Sequence, residues 1–131
     1  MARIKHIAIR TENVAATARF YMEAFRLEKV GDGKSGIYLT DGYLNIAILS
    51  TRSAIPGETM KLGLDHIGFQ VDDVKATADR IRQAGGECLD GHNQPSTGHQ
   101  ASNAQSYFEV KCLAPDNQII DISSAGWAGS R

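Results

Sequence analysis

The sequence has 131 residues, 42% of them hydrophobic and 22% charged, with a formal net charge of −1. That is an ordinary globular composition, long enough to bury a core; it has no basic stripe for nucleic acid and no apolar run long enough to span a bilayer. The opening residues Met1-Ala2-Arg3-Ile4-Lys5-His6 lack the apolar stretch of a secretory signal, so the expected location is the cytoplasm, and Cys88 and Cys112, at no motif spacing, are expected to be reduced thiols on strands.

Residues 3–10 alternate, with Ile7 and Ile9 on one face and His6, Ala8 and Arg10 on the other, the period of a half-buried strand. Thr11-Glu12-Asn13 suits a helix start, and Val14, Ala18, Tyr21, Met22 and Phe25 fall on one face of a helix running to Arg26. A short strand is expected over Leu27–Val30, closed by Gly31-Asp32-Gly33. Strands at Ile37–Thr40 and Leu44–Leu49 then flank an Asp41-Gly42 turn. After a linker from Ser50 to Lys61 the order begins again. Leu64–Val71 reads as a strand, and Asp72-Asp73 opens a helix that ends before Gly85-Gly86. A strand near Glu87–Leu89 leads into a long polar loop, and a hairpin follows of Tyr107–Leu113 and Ile119–Ser123 around Ala114-Pro115-Asp116-Asn117.

The second half echoes the first at an offset of 60: Lys5-His6-Ile7-Ala8-Ile9-Arg10 matches Asp65-His66-Ile67-Gly68-Phe69-Gln70, and Val14, Ala16, Thr17 and Ala18 meet Val74, Ala76, Thr77 and Ala78. Two of only four histidines fall at equivalent points. Such self-similarity marks a repeated structural unit. The plan is βαβββ twice within one domain spanning residues 1–131: module one about 1–50, linker about 51–61, module two about 62–125.

The segments Lys5-His6-Ile7-Ala8-Ile9, Phe20-Tyr21, Leu64-Asp65-His66-Ile67-Gly68-Phe69, Ala84-Gly85-Gly86 and Ala114-Pro115-Asp116-Asn117-Gln118-Ile119-Ile120-Asp121-Ile122 resemble the vicinal-oxygen-chelate superfamily of glyoxalases, bleomycin-resistance proteins and extradiol dioxygenases. The resemblance covers nearly the whole chain. It implies an α+β fold in which two βαβββ modules form one curved mixed sheet around a concave pocket, with helices on the convex side, and it implies a homodimer. Asp121 stands where that family usually has Glu, and Asn45 near the point where four-ligand members offer Glu or Gln.

Strand parity locates the chemistry. If the apolar faces meet the helices, the opposite face carries His6, Ala8, Arg10, Asn45, His66, Gln70, Tyr107, Glu109 and Asp121. His6, His66 and Asp121 are the candidate metal ligands, because two imidazoles and a carboxylate suit Fe, Mn, Zn or Ni. Glu109 is the candidate base and the substitute ligand should Asp121 fail; Tyr107 is a candidate proton donor to a developing oxyanion. Asn45, Arg10 and Gln70 are candidate substrate contacts. His92 and His99, in the long loop, are read as surface residues, and Trp127, in the tail, as covering an apolar edge or a dimer seam.

The expected function is a divalent-metal-dependent enzyme that chelates two neighbouring oxygens of a small substrate, with dioxygenase or lyase/isomerase chemistry. The alternative is a metal-free small-molecule binding or drug-sequestering protein of the bleomycin-resistance type; only 7% aromatic residues and a polar, histidine-bearing face count against a stacking cleft.

Overall fold

The computed structural model describes residues 1–52, 57–89 and 109–131. Module one contributes β1 (Arg3–Thr11), α1 (Val14–Phe25), β2 (Glu28–Asp32), β3 (Gly36–Thr40) and β4 (Asn45–Ser50). Module two contributes β5 (Gly63–Gln70), α2 (Val74–Gln83), β6 (Glu87–Cys88), β7 (Val110–Ala114) and β8 (Gln118–Ser123). The eight strands form one curved sheet in the order β2-β3-β4-β1-β5-β8-β7-β6. Each module has its first strand parallel to its last, and the two first strands, β1 and β5, join the modules antiparallel.

The repeat extends to local chemistry. Asn13 and Asp73, 60 residues apart, cap the two helices by accepting from the backbone N–H of Ala16 and Ala76 at 3.0 and 2.9 Å. Each helix lays a small buried residue on the sheet. Ala18 packs with Leu39, Ile48, Ile9 and Ile46, and Ala78 packs with Ile122, Phe69, Val110 and Ile120. These are the apolar parities expected to meet the helices, so the opposite face is left for His6, His66 and Asp121.

Some local expectations change. α1 stops at Phe25 because Arg26 turns into the left-handed region at φ 57°, and β2 continues through Gly31, the expected turn, to Asp32. The expected pair of reduced thiols is corrected: Cys88 and Cys112 oppose each other directly across β6 and β7 and are joined as a disulfide, their Cα atoms 4.0 Å apart. The sequence hid this because no motif spacing ties two thiols 24 residues apart. Among the described residues no helix is long and apolar enough to cross a membrane.

Candidate metal centre

Register places the site. One row of opposed residues crosses six strands: Thr40, Asn45, His6, Gly68, Asp121 and Lys111. The next row, one pleat along, holds Tyr38, Ala47, Ala8 and His66. His6 and His66 therefore face each other diagonally across the β1–β5 seam, and the missing side chain of Gly68, between His6 and Asp121 in the row, leaves room for the Trp127 indole.

The Nε2 atoms of His6 and His66 lie 3.1 Å apart, and Asp121 Oδ2 lies 3.0 Å from His66 Nε2. One donor atom from each of the three residues lies within 4.8 Å of the others. All three side chains are buried, at 3%, 8% and 1% exposure for His6, His66 and Asp121. The outer ring nitrogens are both committed to oxygen acceptors. His6 Nδ1 meets Asn45 Oδ1 at 2.7 Å, and His66 Nδ1 meets Asp65 Oδ2 at 2.6 Å. The Asn45 amide is oriented by its other end, since Nδ2 donates to the Ala128 carbonyl at 2.8 Å. Its oxygen must then face His6, which fixes the N–H of that ring on Nδ1 and directs the Nε2 lone pair inward. Metal-bound histidines are held in this way, by an outer oxygen that fixes tautomer and ring orientation.

The electrostatics describe a centre that holds a positive charge. Burial opposes charging of His66, but the carboxylates of Asp121 and Asp65 outweigh it and raise its pKa to about 9. Burial likewise opposes ionisation of Asp121, yet contact with His66 and then Lys111 brings it down to about 2. Asp65 is lowered to about 2, first by its hydrogen bond from His66 and also by Arg10. Without a metal, one proton on His66 Nε2 is shared toward His6 Nε2. Asp121 Oδ2 then sits at ion-pair distance but receives no hydrogen bond of good geometry among the described residues. A single proton cannot satisfy three inward-facing donor atoms, whereas one divalent cation can. Two of the three separations, 3.1 and 3.0 Å, match the roughly 3 Å between adjacent donors around an octahedral ion with bonds of about 2.1 Å, and all three donor atoms lie within 4.8 Å of one another. The residues present fit a divalent metal.

The other candidates have definite places. Glu109 precedes β7, and its Oε1 accepts the indole N–H of Trp127; burial and the Asp121 charge raise its pKa to about 7, against the pull of that hydrogen bond. Arg10 donates to Asp65 at 3.2 Å and to the Ser50 carbonyl at 2.8 Å, so it braces the carboxylate that braces His66. Gln70 donates to the Ser124 carbonyl at 3.3 Å, at the root of the tail. Tyr107, His92 and His99 lie outside the described residues.

Several residues at the centre escape a reading by alternation. Asp65 sits at a bulge, where β1 advances from Ala8 to Ile9 while β5 moves from His66 to Leu64. The extra residue is re-aimed toward the site side, which strict alternation denies it. Lys111, donating to Asp121 Oδ1 at 2.8 Å, has the same parity as Glu109 and was legible. Trp127 stacks on His6, centroids 4.9 Å apart and planes 8° from parallel. Instead of covering an outer edge, it covers the centre.

The first module's place for a carboxylate also moves. Gly68 pairs with Asp121 and Ala8 pairs with Ala47; Ala8 and Gly68 are repeat equivalents. The counterpart of Asp121 is therefore Ala47, while Asn45 lies behind His6. Three donor side chains converge, and the fourth, symmetric position carries only a methyl group.

A cleft of about 510 Å³ is lined by Asp65 and His66 with Leu64, Ile67, Phe69 and Ile120, the last three on the sheet face opposite the centre.

Comparison with known proteins agrees with this architecture. The model of the Glyoxalase/Bleomycin resistance protein/Dioxygenase superfamily matches residues 3–117. Among solved structures, methylmalonyl-CoA epimerase from Mycobacterium tuberculosis superposes with a TM-score of 0.68 at 12% identity, over 92% of this chain and 85% of that one. A hypothetical protein from Bacillus halodurans gives 0.66 at 14% identity over 93% of both chains. A variant of the Streptomyces coelicolor epimerase, in complex with 2-nitronate-propionyl-CoA, gives 0.64 at 19% identity over 92% of this chain and 95% of that one. No curated protein sequence matches the chain.

Proposed function

The chain belongs to the Glyoxalase/Bleomycin resistance protein/Dioxygenase superfamily, and on that footing we propose that it is a divalent-metal-dependent enzyme acting on a small substrate with two neighbouring oxygens. The observation that carries this reading is the convergence of His6 Nε2, His66 Nε2 and Asp121 Oδ2, with both outer ring nitrogens tied to oxygens. Bound there, a divalent ion supplies a Lewis acid that polarises the chelating oxygens.

The protein's own residues divide the remaining work. Asn45 and Asp65 hold the two imidazoles in the ligating tautomer, and Lys111 holds Asp121 by its other oxygen. Glu109, with a pKa near 7, is the group suited to accept or return a proton at neutral pH. Its partner Trp127 fixes which carboxylate oxygen is free to do so. Ala47, in the place symmetric to Asp121, leaves coordination positions open, and two histidines with one carboxylate and open positions is the ligand set of non-haem iron oxygenases. That favours dioxygenase chemistry over base-driven isomerisation.

The test is reaction type. Protein loaded anaerobically with Fe²⁺ and offered a panel of vicinal diols, catechols included, is expected to consume dioxygen, and His66→Ala protein is not. Loss of an α-proton to deuterated solvent from 2-oxo or thioester substrates, without dioxygen uptake, would replace the dioxygenase reading with an isomerase one. Neither reaction with any metal would favour a binding protein.

A further inference from the structure

The segment after β8 is built across the metal centre. Ser124 and Ala125 are exposed; Gly126 then turns with φ +77° and delivers Trp127, 2% exposed, onto His6. Gly68 makes room for the ring: a Cβ there would lie 2.8 Å from the indole Cη2 and Cζ2. Beyond the ring the segment is fastened to module one. The Ala128 carbonyl accepts from Asn45, and the Gly129 carbonyl accepts from Thr40 Oγ1 at 2.9 Å. The Arg131 N–H donates to the Tyr43 carbonyl at 3.2 Å, and the Arg131 carbonyl accepts from Lys5. Lys5 is itself buried, its ammonium 3.0 Å above the Tyr43 ring. Gly129, with φ +76°, fits so closely that a Cβ would meet Thr40 Cβ at 2.8 Å and Val30 Cγ1 at 3.0 Å.

A strap that begins at an exposed joint, seats one large ring on a candidate metal ligand and is otherwise fastened by hydrogen bonds has the makings of a gate. Such bonds contribute only about 1 kcal/mol each, so the strap can open locally without unfolding the sheet. We propose that residues 126–131 form a gate over the metal centre, and that an ion or a chelating ligand reaches His6 and Asp121 only when Trp127 lifts from its seat on His6 and over Gly68. The inference rests on the metal-centre reading and adds a kinetic property that a fixed wall would lack: the gate sets how fast an ion enters and leaves, not how tightly it is held.

The experiment compares the protein with Gly129→Ala, which loosens the strap where it meets Thr40 and Val30, leaves every candidate ligand in place and keeps Trp127, the sole tryptophan. Trp127 emission should shift to the red, and acrylamide should quench it more strongly. In stopped flow, Co²⁺ association and its removal by EDTA should each accelerate about tenfold, equivalent to 1.4 kcal/mol off the opening barrier, while Kd stays within about threefold. Trp127→Ala, read by Co²⁺ absorbance, should reproduce the rate changes if Gly129→Ala does not fold. Faster release without faster entry would overturn the gate and make the strap a support for His6. Unchanged rates with an exposed Trp127 would also overturn it and give the ion a route that does not pass the ring. Failure of the unmutated protein to bind Co²⁺ would sink the metal reading, and the gate with it.

Discussion

Asn45→Ala separates support of the proposed metal centre from support of the fold. The amide is fully buried, and its two ends hold the His6 Nδ1 hydrogen and the Ala128 carbonyl. Truncation strands both groups away from water, at about 1–3 kcal/mol each, so metal-free protein should lose roughly 2–6 kcal/mol in a denaturant titration. His6 also loses the acceptor that fixes its tautomer, and loss of such an outer partner weakens metal binding by about 10–100-fold. The assay is Co²⁺ titration followed by visible absorbance, beside urea unfolding in EDTA. Asn45→Asp keeps an acceptor for His6 but gives up the donor to Ala128, so it should retain most of the Co²⁺ affinity while remaining destabilised. An Asn45→Ala protein that unfolds more easily yet binds Co²⁺ as tightly as the unmutated chain would refute the argument and reduce Asn45 to a structural amide.

Other outcomes follow from the same contacts. His66 has a folded pKa raised to about 9 from an ordinary 6.5, so its contribution to the stability of metal-free protein is fully present below pH 6.5 and lost as pH rises through 9. Asp65 and Asp121, lowered to about 2, contribute above pH 3.8 and lose that contribution as pH falls toward 2; thermal melts in EDTA should therefore show a plateau between about pH 4 and 6.5. Gly68→Ala would drive a methyl group into Trp127 and against His6 Cβ at 2.9 Å, so it should cost about 1–3 kcal/mol by chemical denaturation and expose Trp127 to acrylamide; a silent substitution would contradict the packing described. Cys112→Ser opens a link between residues 24 apart in sequence and should lower stability by about 3 kcal/mol under oxidising conditions. Under strong reductant the two proteins should melt alike.

Much of the centre was legible in the sequence because strands impose a period of two and the chain repeats itself. That put His6, His66 and Asp121 on one face, and the helices took Ile9, Ile48, Phe69 and Ile122 on the other. What stayed hidden depends on register and on residues outside regular strands. Asp65 reaches the site through a bulge that breaks the alternation. Ala47, not Asn45, is the counterpart of Asp121, a fact visible only once β1–β4 and β5–β8 are paired residue by residue. Trp127 lies in a glycine-flanked tail with no periodicity, so nothing local announced that it returns across the sheet to stack on a histidine 121 positions earlier. The Cys88–Cys112 link joins residues 24 apart, a pairing that no spacing rule gives.

The most direct measurement is metal content by elemental analysis, on protein loaded with Fe²⁺, Mn²⁺, Zn²⁺ or Ni²⁺ and then desalted, beside His6→Ala and His66→Ala. The expected result is about one ion per chain in the unmutated protein, as three converging donors require, and little or none in either variant, with both variants still folded by circular dichroism. Retention of the ion by both variants, or no ion retained by the unmutated protein with any of the four metals, would contradict the assignment of His6, His66 and Asp121 as a metal centre.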